Sequence, residues 1–212
     1  LGLFTSKEDV ASSPYQTGTN LPGDIKYKDL NGDGKIDTYD QGPIGYGSIP
    51  EIVYGFGPTI SWRGWSVAGW FKGISNVDIQ LNGDGLQPFS QGGERGNLLK
   101  QITDRWTPGS TNPHPFYPRL TYGNDNMNYA TSSWWTKNGA FLRLQTLQFG
   151  YTFSNKPWLK VAGLSNVNLY FIGTNLLTLS GFKLWDVELG DGRGSQYPLV
   201  KTFNTGIKLT FR

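Results

Sequence analysis

Five segments of this sequence alternate bulky apolar residues with polar or small residues at a period of two. They lie at about 52–62, 65–74, 141–153, 166–174 and 201–211. The last segment is the clearest, with Phe203, Thr205, Ile207, Leu209 and Phe211 on one face and Asn204, Gly206, Lys208 and Thr210 on the other. This pattern is typical of β-strands that have one apolar face, and it predicts an all-β fold.

The third segment changes phase along its length. Leu142 and Leu144 alternate in one phase, whereas Leu147, Phe149 and Tyr151 alternate in the other. A change of phase within one strand predicts a β-bulge near residues 145–147, or a strand that passes from one environment into another. The pattern is compatible with either structure.

The connections between these segments alternate in length. Long stretches precede the first, third and fifth segments, and shorter links follow the first and third. Transmembrane barrels show this asymmetry, because their periplasmic turns are short and their extracellular loops are long. Aromatic residues flank the short links, as in the girdles that barrels place at the lipid interface: Trp62, Trp65, Phe153, Trp158 and Phe211.

Composition excludes several classes of protein. The chain has 212 residues, no Cys and a single His, His114, so disulfides, thiolate metal sites and His-based catalysis are not expected. The net charge of +3 comes from scattered basic residues, which does not indicate nucleic-acid binding. Because no apolar run of roughly 18 residues occurs, helical membrane spans are excluded. Abundant aromatic residues among 29 Gly are typical of a β-rich surface-binding or outer-membrane protein.

Residues 29–40 have the ligand spacing of a calcium loop, and they lie in a glycine- and proline-rich stretch, residues 5–50, that we interpret as one long ordered loop. EF-hand loops place oxygen ligands at the first, third, fifth, seventh, ninth and twelfth positions, with glycine at the sixth. Here those positions hold Asp29, Asn31, Asp33, the carbonyl of Lys35, Asp37 and Asp40, with Gly34 at the turn. The spacing predicts a Ca2+ site, with Mg2+ as the alternative ion and a solvated acidic turn as the alternative structure. Asp40 replaces the bidentate Glu of EF-hands.

Three other loop features are predicted to be structural. Residues 95–106 have apolar residues at helical spacing, which predicts one short helix. Residues 81–85 repeat the Leu-Asn-Gly-Asp-Gly of residues 30–34 without the remaining acidic ligands, which favours a plain turn. Asp186 and Glu188 resemble the acid and base of a hydrolase only in residue type, because their spacing does not supply the required geometry. No enzymatic activity is expected.

Four motifs occur in an order that gives the chain a family resemblance. They are residues 22–27 (Pro-Gly-Asp-Ile-Lys-Tyr) leading into 29–40, Ile44-Gly45 with Pro50 and 54–56, residues 105–108 with 118–120, and residues 138–144 running into 150–151. Together they resemble the C-terminal part of a SusC-like TonB-dependent outer-membrane transporter of the SusC/RagA family. The similarity spans nearly the whole chain. Residues 204–211 also resemble the signal that the barrel assembly machinery recognises in a last strand.

The resemblance implies a fold and a function. It implies that this chain supplies the last five strands of a 22-stranded antiparallel transmembrane β-barrel with long extracellular loops, as part of a longer protein that also has a plug domain and a TonB box. It implies TonB-dependent uptake of glycan oligosaccharides or peptides across the outer membrane, together with a SusD-like surface lipoprotein. A dimer of transporter–lipoprotein pairs is compatible with it. The metal loop would then be extracellular, the C-terminus periplasmic and the apolar strand faces in contact with outer-membrane lipid.

Loop residues are expected to contact the substrate. Sugars stack on aromatic rings and form hydrogen bonds with polar side chains. Candidate contacts are Trp134, Trp135, Tyr117, Tyr122 and Asn124. The alternative function is that of a soluble, calcium-stabilised β-sandwich that binds carbohydrate, and such a module would fold alone in water.

Overall fold

The computed structural model describes residues 1–83, 85–89, 96, 98–123, 126–190 and 192–212. Its strands are β1 (Tyr15–Gln16), β2 (Lys35–Ile36), β3 (Ile52–Phe56), β4 (Thr59–Trp62), β5 (Trp65–Ser75), β6 (Asp78–Gln80), β7 (Thr136–Asn138), β8 (Phe141–Ser154), β9 (Leu164–Ser180) and β10 (Thr202–Phe211). The α-helices are α1 (Lys7–Ser12) and α2 (Pro157–Val161), and 3-10 helices occur at Thr38–Asp40, Lys100–Thr103 and Val187–Leu189. Within these described ranges, no helix is both long and apolar enough to cross a membrane.

The described residues form two compact units. The first, which we call the loop unit, contains residues 1–46, 79–137 and 192–196. The second, which we call the sheet unit, contains residues 47–78, 138–190 and 197–212. Each unit has its own internal packing.

The sheet unit is one antiparallel sheet with the strand order β10, β9, β8, β5, β3, and β4 also pairs with β5. Strands β3 and β4 are two halves of one chain pass, interrupted at Gly57 and Pro58, so the sheet consists of five passes. The predicted all-β fold of five barrel strands is confirmed. A β-sandwich requires a second sheet packed over the first. The described strands of the sheet unit form no such second sheet.

The two faces of the sheet differ in chemistry. One face carries apolar side chains in register across the strands; for example, Val67, Phe149 and Phe171 lie side by side on β5, β8 and β9. Phe149 and Phe171 are 46% and 41% exposed, although they lie in mid-strand. The opposite face carries polar and small residues such as Ser66 and Gln148. A single sheet with an exposed apolar face is suited to lipid on that side and to water or protein on the other.

The predicted bulge in the third strand is confirmed. The pairing of β8 with β5 shifts between Leu144 and Thr146, and the pairing of β8 with β9 shifts at the same place. The shift leaves Gln145 outside the β5 ladder, so Leu144 pairs with Phe71 on the face that also carries Leu147. One extra residue therefore keeps the apolar face continuous despite the change of phase in the sequence.

Short links join the strands at one end of the sheet. Arg63 and Gly64 both have positive φ, +48° and +91°, as a type I′ hairpin turn requires, and this turn pairs Trp62 with Trp65. Between β8 and β9 the link is α2, whose Leu159 is buried against Leu164 and Val167.

The loop unit has little regular structure, and packing holds it together. Its buried apolar side chains include Phe4, Ile25, Leu81, Tyr117 and Trp135. The helix predicted over residues 95–106 is wrong for the described part of that stretch, where only the 3-10 helix Lys100–Thr103 forms. Residues 95 and 97 lie outside the described chain. Leu98 is 61% exposed, and Leu99, Ile102 and Trp106 are half-buried, so the apolar spacing does not form one buried helical face.

Candidate functional site

The acidic loop of residues 29–40 closes on itself through its own carboxylates. Asp29 accepts hydrogen bonds from the backbone N–H groups of Gly32 (2.6 Å) and Gly34 (2.8 Å). Asp40, the twelfth residue, accepts from the N–H of Leu30 at 2.7 Å, which joins the two ends of the loop. Gly32 and Gly34 have φ values of +79° and +81°, a conformation that favours glycine. The local sequence is therefore sufficient to shape this loop.

The other predicted ligands make similar local bonds. Asn31 accepts from the N–H of Asp33, Asp33 accepts from the N–H of Lys35, and both distances are 2.9 Å. Asp37 caps the 3-10 helix Thr38–Asp40, and the N–H of Asp37 in turn donates to Asp40. That backbone hydrogen bond is the main cause that lowers the pKa of Asp40. Hydrogen bonds from side chains to the backbone therefore contribute to the order of the acidic loop.

The fit of this loop to a metal ion is partial. Its donors are carboxylates, an amide and a carbonyl, which are the hard oxygen ligands that Ca2+ and Mg2+ prefer. Over the described residues, however, no group of three or more His, Cys, Asp or Glu side chains converges as a metal site requires. Metal binding would therefore need carboxylates to turn inward from their backbone partners. The Ca2+ site stays a prediction.

A cleft of about 1250 Å³ lies beside the acidic loop, within the loop unit. Its apolar wall includes Ile36, Phe116 and Trp134, and its charged lining includes Asp37, Asp40, Lys28 and Lys137. Lys137 donates to the carbonyl of Trp134 at 2.8 Å, and burial lowers its pKa. The cleft thus combines aromatic surface with charges of both signs, a composition that can bind a polar organic ligand.

The predicted substrate contacts occupy different environments. Trp134 is half-buried, lines the cleft and donates its indole N–H to the carbonyl of Phe116 at 3.1 Å. Tyr122 is 70% exposed, and its ring lies 6.0 Å from that of Phe89. Asn124 lies outside the described residues. Of the four candidates in the described residues, Trp134 and Tyr122 have side-chain surface that a ligand could contact.

Tyr117 and Trp135 do not fit the predicted role, because both side chains are fully buried. The hydroxyl of Tyr117 donates to the carbonyl of Leu86 at 2.8 Å, and the indole of Trp135 donates to the carbonyl of Asn128 at 2.7 Å. Burial also raises the pKa of Tyr117 to about 12. These two residues form the core of the loop unit, where a ligand does not reach them.

A buried polar cluster that sequence reasoning missed links two of the motif regions, residues 22–27 and 118–120, through Asn128. Arg119 donates from Nε and Nη2 to the two carboxylate oxygens of Asp24, at 2.9 and 2.8 Å. Asn128 donates to the same carboxylate at 2.8 Å, and its own Oδ1 accepts from the N–H of Ile25. Asp24 has no exposed surface. The signal in the sequence was the presence of Asp24 and Arg119 within motifs that are otherwise rich in proline and glycine.

The carboxylates of Asp186 and Glu188 are not a free acid–base pair. Asp186 pairs with the guanidinium of Arg143, and Glu188 pairs with the ammonium of Lys72. Both acids belong to the sheet unit and follow β9. Because cations engage both carboxylates, this site offers no support for glycoside hydrolysis.

Comparisons with known proteins agree with this architecture. No protein-family model matches the chain. The chain is 31% identical over 228 residues to TonB-dependent receptor P26 of Formosa agariphila and 28% identical over 224 residues to TonB-dependent receptor P3 of the same organism. These alignments cover 100% and 99% of this chain but 22% and 21% of the relatives. The chain thus spans about a fifth of the length of the curated relatives that it matches.

Solved structures resemble the fold. The RagAB peptide importer in its "open-open" state matches with a TM-score of 0.65 at 24% identity, over 92% of this chain and 21% of that chain. Its "closed-closed" state matches with a TM-score of 0.65 at 23% identity, over 91% of this chain and 21% of that one. At these levels of sequence identity, the comparison shows that the folds are alike.

The sheet with one exposed apolar face and one polar face defines the class of protein: part of the wall of an outer-membrane β-barrel. The match of the whole chain to TonB-dependent receptors confirms the resemblance to the C-terminal part of a SusC-like TonB-dependent outer-membrane transporter, and the fold agrees with it. The matched relatives are receptors and importers rather than enzymes.

Proposed function

We propose that the protein containing this chain imports a nutrient across the outer membrane in a TonB-dependent manner. The observation that carries this proposal is the match of the whole chain to TonB-dependent receptors. The sheet supports it, because an exposed apolar face beside a polar face is what a barrel wall needs. Since the chain covers about a fifth of those relatives, contact with TonB is assigned to the rest of the protein.

The partner we propose is a SusD-like surface lipoprotein that meets the extracellular loops. Support comes from the motif resemblance and from the fold likeness to the RagAB importer. We propose that the acidic loop of residues 29–40 lies outside the cell and that the end of β10 lies in the periplasm. The lengths of the connections support this orientation, since the links at Arg63-Gly64 and at α2 are short. A dimer of such transporter–lipoprotein pairs is the assembly we expect.

The substrate we propose is a glycan oligosaccharide or a peptide that contacts the cleft at Trp134. Two properties of the cleft support this: its aromatic wall provides a stacking surface, and Lys137 and Asp37 provide opposite charges for polar groups. RagAB is a peptide importer, so a peptide is the first ligand to test here. Ca2+ bound at residues 29–40 would order the loop at the rim of this cleft.

Uptake by whole cells tests the proposal. The experiment compares three strains: one without the transporter gene, one with the intact gene, and one with the gene but without TonB. Each strain receives labelled peptides and labelled oligosaccharides in parallel. We expect accumulation of one class of ligand only where both the transporter and TonB are present. Equal accumulation in all three strains for both ligand classes would contradict an import function.

The soluble β-sandwich is not favoured by any observation. Its strands would form two layers with a shared core, whereas the described strands of the sheet unit form one layer with exposed Phe149 and Phe171. Cations engage both Asp186 and Glu188, the acid pair considered for catalysis, and we propose that the protein acts by binding and transport.

A further inference from the structure

Two cations lie side by side on the polar face of the sheet. Lys72 on β5 and Arg143 on β8 are direct partners in the strand register. Like charges in directly opposite positions destabilise a pair of strands. Arg143 is 2% exposed, so water screens its positive charge poorly. This pair of positions is therefore unfavourable unless anions compensate it.

The compensating anions come from the segment that follows β9. Asp186 pairs with the guanidinium of Arg143, and Nε of Arg143 also lies 3.2 Å from Oε2 of Glu188, an ion pair without the alignment of a hydrogen bond. Glu188 pairs in addition with the ammonium of Lys72. Two carboxylates thus balance two cations, and each carboxylate contacts Arg143.

The segment is built to present these two carboxylates. Asp186 caps the 3-10 helix Val187–Leu189 by accepting the N–H of Glu188 at 3.1 Å, and Gly190 ends this helix with φ of +60°. Phe182 and Val187 are 7% and 3% exposed, so the same segment is also fixed by burial of apolar side chains. Phe182 packs edge-on against Trp185, with ring centroids 5.1 Å apart.

We propose that residues 181–190 form a fixed strap across the polar face of β5 and β8, held there by the four-residue ion network. Detaching the strap would leave the guanidinium of Arg143 beside the ammonium of Lys72 with no counter-charge. Leaving buried charges uncompensated in this way strongly destabilises a protein. This connection begins and ends with glycine and lies in a long loop, features that sequence reasoning associates with mobility. The network instead makes it part of the wall. The inference depends on contacts within the sheet unit and not on what the protein transports.

Proteolysis and hydrogen exchange of the intact protein in outer-membrane vesicles test the strap. Lys183 is exposed and lies inside the strap, so trypsin cleavage after it reports local detachment. The variant Asp186→Asn with Glu188→Gln removes both negative charges and keeps the side-chain shapes. Glu51→Gln is the matched control, because Glu51 accepts a hydrogen bond from Asn76 and has no part in the network. Amide exchange along β9 and β10 reports whether the sheet itself is intact.

We expect the double variant to raise both the cleavage rate after Lys183 and the exchange of residues 182–189 by at least about tenfold, because an unbalanced buried charge favours local opening. Exchange along β9 and β10 should not change, and Glu51→Gln should match the wild type. If the double variant does not assemble, the single variant Glu188→Gln, which leaves Asp186 on Arg143, takes its place with a smaller expected increase. Unchanged cleavage and exchange in the variant that assembles would overturn the proposal.

Discussion

Asp24 and Arg119 form a two-point ion pair across 95 residues of sequence, with nitrogen–oxygen distances of 2.9 and 2.8 Å. Backbone bonds support the pair, because the N–H of Arg119 donates to the carbonyl of Gly23 at 2.7 Å and the N–H of Leu21 donates to Asp24 at 2.8 Å. Trp106 lies directly over Gly23. Three stretches that carry the motifs, residues 22–27, 105–108 and 118–120, therefore meet at one point.

Replacing Asp24 with Asn should destabilise the loop unit by about 3 kcal/mol, because the substitution leaves Arg119 without its counter-charge and Asp24 is fully buried. Hydrogen exchange of the amides of Ile25 and Arg119 in the intact protein measures this loss. Asp9→Asn is the control, since its ion pair with Lys26 is partly exposed and should contribute below about 1 kcal/mol. Equal losses in the two variants would show that the buried pair has no special role.

Gly23→Ala should destabilise the loop unit more than Gly109→Ala. Both glycines have positive φ, +90° and +82°, so each substitution costs about 1–2 kcal/mol of backbone strain. A Cβ at Gly23 would also collide with the ring of Trp106, whereas a Cβ at Gly109 meets nothing within 4 Å. The difference between their free energies of unfolding isolates the collision. Equal values would mean that Trp106 moves aside without cost.

The strands could be predicted from the sequence because their signal is local. Apolar and polar residues alternate within each strand, and the phase change at Gln145 is visible without any knowledge of its neighbours. The hydrogen bonds of the acidic loop are also local, since Asp29 and Gly34 are 5 residues apart. Short-range geometry of this kind is encoded in the spacing of Asp, Asn and Gly.

The interior of the loop unit could not be predicted in the same way. Nothing near Tyr117 distinguishes a ring that meets substrate from one that fills a core, because its burial depends on partners such as Leu86, which lies 31 residues away. The same holds for Asp24, whose partners Arg119 and Asn128 are 95 and 104 residues distant. The described strands and helices of this unit are few and short, so no periodicity separates the buried residues from the exposed ones.

The contribution of Asp9 to stability should depend on pH. Its hydrogen bond with Lys26, at 2.6 Å, is the main cause that lowers the pKa of Asp9 to about 2. Because this pKa lies below the value of about 4 expected for Asp in the unfolded chain, the pair stabilises the folded state above pH 4. That stabilisation is lost as the pH falls from about 4 through 2.

Thermal unfolding of the wild type and of Asp9→Asn, followed by tryptophan fluorescence at several pH values, measures this dependence. The gap between their melting temperatures should be constant at pH 5–7 and should narrow steadily from about pH 4 to pH 2. A gap that stays the same down to pH 2 would mean that the folded-state pKa of Asp9 is not depressed.

Replacing Asp29 and Asp33 with Ala should loosen the acidic loop and leave the barrel assembled. The substitutions remove the acceptors for Gly32, Gly34 and Lys35. Hydrogen exchange of residues 30–36 should rise in the variant, and adding Ca2+ should slow this exchange in the wild type only. Contact with the lipoprotein, measured by co-purification, should weaken. Mg2+ serves as the comparison ion and Glu8→Ala as an acidic control outside the loop.

A charge placed on the apolar face of the sheet should prevent assembly more than the same charge on the polar face. Phe149 and Gln148 are neighbours on β8, and they pair with Val67 and Ala68 of β5 on opposite faces. Phe149→Lys would place an ammonium against lipid at a cost of about 2–4 kcal/mol near the middle of the bilayer, whereas Gln148→Lys would face the polar side. The two variants are compared by the fraction of each that is folded in the outer membrane. Folded protein is recognised because it resists unfolding in detergent until it is heated. Equal fractions would mean that the face bearing Phe149 and Phe171 does not meet lipid, and the assignment of this sheet to a barrel wall would be wrong.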